Sequence, residues 1–180
     1  RVYWTLQLQT PLHLEKDHAG IARITADVMR FGSERIHGEA LEKELQKYNI
    51  SLHAETGYLS ASSPKEFARE TLGILAEILL APSFRETAIA TVIQQYRSEI
   101  KSGQNNIQIR AQELGRQQVF SRNHPYGERV TLASLDSIDR EDLTAHHAET
   151  YRPQYAGIAV HGPLSAQEAF RWTTSALGDW

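Results

Sequence analysis

The chain has 180 residues, with 19 Lys and Arg against 22 Asp and Glu, eight histidines and no cysteine. Its length suits one well-buried core, and 41% hydrophobic with 23% charged residues is the composition of a globular domain rather than a disordered or fibrous segment. Disulfides and thiolate-held metal centres are excluded, and a formal charge of −3 lacks the basic excess that nucleic-acid binding requires.

Arg1-Val2-Tyr3-Trp4 carries no export signal and reads as the interior of a longer protein. Val2, Trp4, Leu6 and Leu8 alternate with more polar residues, which predicts a strand with one buried face, ended by Thr10-Pro11. Ile21, Ile24, Val28 and Phe31 recur at helical spacing, with Asp17 as the expected cap and Gly32 as the stop. A second amphipathic helix is expected over residues 38–49, burying Leu41, Leu45 and Tyr48. Alternation on either side of Thr56-Gly57 then predicts a hairpin.

Ser63-Pro64-Lys65-Glu66 has the form of a capped helix start, and the helix it opens carries Leu72, Leu75, Ile78 and Leu79. The longest apolar run lies here, at 74–81; Glu77 interrupts it, and it falls well short of the roughly 18 to 20 residues of a membrane span. Helices are expected over 85–102 and 106–121, then a turn-rich loop at Asn123-His124-Pro125-Tyr126-Gly127. A short link at 132–138 leads to a helix begun by Asp139. Residues 155–161 are apolar on both faces, which predicts a strand interior to a sheet, and Ser165 with Glu168 opens a last helix. This order, without βαβ alternation, predicts one α+β domain: a two-layer sandwich with a mixed or antiparallel sheet and helices mainly on one face.

Among the histidines, His13, His18, His37 and His124 fall in loops or at helix ends and His53 on an exposed strand face. His161 is expected to be a core histidine. His146-His147 with Glu149 is the only local cluster, and His146 and Glu149 at i,i+3 supply two ligands at most, so a polar helix face is the reading preferred. No nucleophile elbow, phosphate loop, dinucleotide fingerprint or His-Glu-x-x-His is present.

The segment Gly20-Ile-Ala-Arg23-Ile-Thr-Ala26-Asp27-Val-Met-Arg-Phe-Gly32-Ser33 closely resembles the helix that carries the inverted zinc motif in the pitrilysin/insulinase metallopeptidases. The resemblance continues through Ser51-Leu-His-Ala, Ala76-Glu-Ile-Leu-Leu-Ala-Pro-Ser-Phe84, Ser98-Glu99-Ile100, His124-Pro125-Tyr126, Ser137-Ile-Asp-Arg-Glu-Asp-Leu143 and Tyr151-Arg-Pro153. That family needs two histidines on one helical face, a glutamate between them as general base and a distant glutamate as third ligand. Arg23, Ala26 and Asp27 stand at the first three positions here, and Glu99 alone matches the fourth.

The resemblance therefore implies a degenerate zinc motif, no catalytic residue and no metal in this chain, and an expected Arg23–Asp27 ion pair with Glu99 nearby. It implies the first domain of a non-catalytic half: a wall of a peptidase chamber, inactive itself, with zinc in a catalytic partner half and peptide substrate between the two. The alternatives are a structural or assembly protein of the same fold, or an enzyme with an unrelated site at His146/Glu149. The bacterial periplasm is the favoured setting, with the mitochondrial matrix second.

Overall fold

The computed structural model describes residues 1–104 and 106–180. The chain opens with β1 (Val2–Leu8), followed by α1 (Ile21–Met29), α2 (Gly38–Lys47) and the hairpin β2 (Ser51–Glu55) and β3 (Tyr58–Ser63). Next come α3 (Ala68–Leu80), α4 (Glu86–Gly103), α5 (Ile107–Phe120), α6 (Leu132–Asp136), α7 (Arg140–Thr150), β4 (Ala156–His161) and α8 (Ala166–Leu177). The four strands form one antiparallel sheet in the order β2-β3-β1-β4.

Period-two alternation in β1 sets which face of that sheet is covered. Trp4 and Leu6 are buried, and their cross-strand partners Ala61 and Leu59 on β3 and Val160 and Ile158 on β4 share their face. Tyr3, Thr5 and Gln7 look the other way, onto an open face. The indole of Trp4 donates to the Ala68 carbonyl at 2.9 Å, which ties β1 to the start of α3. Helix α3 lies along β3 and β1 with Leu72, Leu75, Ile78 and Leu79 buried, and α8 packs on α3 with Trp172 beside Trp4. The layering is that of the expected α+β sandwich.

Three local expectations change. Asp17 does not cap α1: the Glu15 carboxylate accepts from the Gly20 and Ala22 amides, because residues 16–18 form a separate 3-10 turn that folds Glu15 back over the helix start. Ser63 does not cap α3, since Pro64-Lys65-Glu66-Phe67 forms another such turn and the Ser63 hydroxyl bonds Thr71 at 2.6 Å instead. Strand β4 is an edge strand rather than an interior one. Its second edge is unpaired among the described residues, and Gly157 and Ala159 are small residues on the open face, not a second apolar layer.

Candidate functional site

Helix α1 starts where Gly20, at φ +102°, turns the chain out of the preceding 3-10 turn; a Cβ there would meet the Val130 side chain at 2.9 Å. One turn on stands Arg23, then Ala26 and Asp27, and α4 runs alongside carrying Tyr96 and Glu99. The four residues of the degenerate motif thus meet on two packed helices. Ala26 is 1% exposed and faces inward, offering no group that could take a proton from water.

The expected Arg23–Asp27 pair is not formed, because Tyr96 comes between them. Its hydroxyl donates to Asp27 Oδ2 at 2.6 Å, and the Arg23 guanidinium stands 4.9 Å over its ring. Asp27 Oδ1 is also 3.8 Å from Arg30, and Arg23 faces Glu99 at 4.0 Å. The Arg23–Glu99 pair is largely solvated, so its attraction is weak; the part-buried Tyr96–Asp27 hydrogen bond is the stronger contact. Burial and the Asp27 carboxylate both push the Tyr96 phenol upward, which keeps it a protonated donor at any physiological pH.

These donors do not fit a zinc ion. Two carboxylates face the position, one is engaged by a phenol, and a guanidinium that stays protonated reaches over the same spot. Among the described residues no group of three His, Asp or Glu side chains is arranged to hold a metal. A cleft of about 360 Å³ opens beside the cluster, between α4, α5 and the 126–130 loop. Charges along it alternate, and Arg129 pairs with Glu113 at 3.2 Å.

The histidine cluster resolves differently from the polar face expected. His146 is 9% exposed, and His147 Nε2 lies 2.9 Å from the Leu79 carbonyl with its ring stacked on Tyr151. Burial lowers both, His146 to about 4. Glu149 is exposed whereas His146 is buried, so the two side chains sit in different surroundings. His161, expected in the core, lies exposed against Tyr3, because its register opposite Tyr3 puts it on the uncovered face of the sheet.

No family model matches the chain. A curated relative in Helicobacter pylori, named Non-peptidase homolog YmxG, is 22% identical over 169 residues, covering 91% of this chain and 39% of the relative. A solved structure described as the peptidase M16 inactive domain from Pseudomonas fluorescens superposes with a TM-score of 0.85 at 19% identity, over 98% of this chain and 45% of that one. The periplasmic protease PqqL from Escherichia coli gives 0.81 at 16% identity, and pitrilysin 0.80 at 13%; each match covers 98% of this chain, with 21% and 20% of the respective neighbours. This chain has the pitrilysin fold. The pitrilysin-fold domain described here spans about two fifths of its curated relative and less than half of each of these solved structures.

In the pitrilysin-fold domain, Tyr96 is the residue of the cluster that motif reasoning missed. The signal was available in its spacing: Tyr96 precedes Glu99 by three, which places both on one side of α4.

Proposed function

We propose that this chain is a non-catalytic domain of a pitrilysin-type zinc peptidase, part of a longer protein, forming a wall of the chamber in which a separate zinc-bearing half cleaves peptides. The observation that carries the reading is the Arg23–Tyr96–Asp27 cluster, which fills the position of a metal site with a fixed cation and a phenol–carboxylate hydrogen bond. A fold retained over 98% of the chain beside a donor set unsuited to zinc fits a supporting role. Names point the same way, since one relative is called a non-peptidase homolog and one structural neighbour an inactive domain. The periplasm is the proposed setting, as for PqqL. No helix among the described residues is long and apolar enough to cross a membrane.

The test has three arms. Protein equilibrated with excess zinc, desalted and measured by atomic emission is expected to retain far less than one zinc per chain. It is also expected to leave a fluorogenic library of unstructured peptides uncut, and to copurify, when expressed from its native locus, with a subunit or segment carrying His-x-x-Glu-His. One tightly held zinc with chelator-sensitive hydrolysis would overturn the reading.

A further inference from the structure

Helix α5 is the one α-helix among the described residues that buries none of its side chains. Ile107 is 84% exposed, Leu114 57% and Val119 75%. At about 100° per residue, Ile107, Ala111 and Leu114 fall in one stripe with Gly115 and Val119 on its border, and all five are exposed. The opposite side of the helix is held to the body. Glu113 pairs with Arg129 at 3.2 Å, and the Phe120 ring stacks on His124 and meets Tyr126 edge-on. The stripe therefore points away from the domain. A helix of this length with no packed face is marginal in water, and Gly115 with the β-branched Ile107, Ile109 and Val119 lowers its propensity further. One cap, Asn106 accepting from the Gln108 and Ile109 amides, does not replace a packed face.

Charge selects among the possible occupants. Residues 106–122 contain three arginines and one acidic residue, in a chain whose net charge is −3. That acidic residue, Glu113, is taken by Arg129, whereas Arg110 and Arg116 have no acidic partner among the described residues. Going round α5 from the stripe, Arg110 is the first charged residue on one side and Arg116 on the other. Two copies of α5 would bring only cations to the rim of their contact, which opposes self-pairing. An anionic bilayer is a poor fit as well. Gln108, Gln112 and Gln118 lie in and beside the stripe and no aromatic ring does, which is short of the cation density and aromatic anchors of interfacial helices.

We propose that the outer face of α5 is the docking surface for an amphipathic helix of a partner polypeptide whose apolar ridge is bordered by carboxylates. The ridge covers Ile107, Leu114 and Val119, the carboxylates meet Arg110 and Arg116, and the glutamine amides hydrogen-bond to polar groups beside the ridge. The proposal concerns α5 alone and does not depend on the peptidase reading.

The test is a titration of the isotope-labelled 180-residue chain, followed by its amide NMR signals, with a synthetic three-heptad helical peptide carrying leucine along one ridge and glutamate beside it. A twin peptide with lysine in place of glutamate, and vesicles of phosphatidylglycerol, serve as comparisons. The acidic peptide is expected to give saturable shifts centred on residues 107–119 and to slow hydrogen exchange of the α5 amides by about 10-fold or more. The lysine twin should bind about 10-fold more weakly or worse. Ile107→Ser with Leu114→Ser should abolish binding, and Arg110→Glu with Arg116→Glu should reverse the preference in favour of the lysine twin. All four side chains are exposed, so unchanged signals outside α5 show that the domain is folded. Should either double variant melt α5 itself, the wild-type ratio of the two peptides decides the matter. Equal binding of the two peptides, shifts centred elsewhere, tighter binding to the vesicles than to the acidic peptide, or a dimer formed through α5 at the same concentrations would each overturn the proposal.

Discussion

At the scale of single residues, the cluster between α1 and α4 turns on Tyr96. Arginine and aspartate four apart on a helix have the spacing to pair with each other, but a buried phenol competes better. It offers Asp27 a short hydrogen bond and Arg23 a π face, and it gives up no solvent exposure to do either. Tyr96→Phe should cost about 1 to 3 kcal/mol by urea denaturation, because Asp27 loses its donor in a half-buried place. An equal midpoint for the variant would mean that solvent satisfies Asp27 without the phenol. His146 supplies a second residue-scale prediction. Its folded value of about 4 lies below the ordinary 6.5 of the unfolded chain, and His147 is lowered in the same direction. Between about pH 6.5 and 4 the unfolded state therefore binds more protons. Stability is complete above that window and declines as pH falls through it. Denaturation midpoints at pH 7.5, 6 and 5 should fall in that order, and His146→Leu should shrink the decline; a flat wild-type profile would contradict the assignment.

At the scale of elements, β1, the β2–β3 hairpin and α8 were legible in the sequence, because alternation and the Ser165–Glu168 capping box are local signals. Strand β4 was misjudged because a strand's neighbours are not written in its own residues: Ala156-Gly-Ile-Ala-Val reads as doubly buried whether or not a further strand lies beside it. Burial of His146 was hidden for a similar reason. Helix α7 packs on α1, yet carries His146 and Thr150 as well as Leu143 on its inward side, so its pattern looks polar. At the candidate site, the positions Arg23, Ala26, Asp27 and Glu99 could be named from a motif, whereas the tyrosine between them needed the α1–α4 packing. The start of α1 shows what sequence spacing does not reveal. Glu128 holds the amides of residues 15 and 16, and Glu15 in turn holds those of 20 and 22, so two carboxylates tie the 121–130 loop to the helix that bears Arg23. Glu15→Ala should destabilise the protein by about 1 to 2 kcal/mol, the worth of a strong cap, and Glu15→Gln by less. Urea midpoints of the two variants in parallel would show whether charge or hydrogen bonding carries the effect.

For the whole molecule, the sheet is covered on one face only and β4 ends it with a row of backbone groups free of a neighbouring strand among the described residues. No charged side chain, proline or bulge guards Ala156–His161, which makes this edge the place where copies would pair at high concentration. Ala159→Lys, on the open face of that strand, is expected to lower self-association in sedimentation measurements while leaving stability within about 0.5 kcal/mol. Unchanged sedimentation would move the sticky surface elsewhere, to the exposed Ile107, Leu114 and Val119 of α5.

The Tyr96-centred cluster has a further consequence for regulation. A domain whose helices are joined through a bound ion changes its rigidity with the ion's supply and with any chelator that competes for it. Here α1 and α4 are joined by covalently present side chains, and the guanidinium does not titrate in the physiological range. On the proposed reading the domain is expected to keep one shape through metal starvation and repletion alike. A partner of the proposed kind would then meet a constant surface, and a response to metal availability would be expected to originate outside the α1–α4 contact.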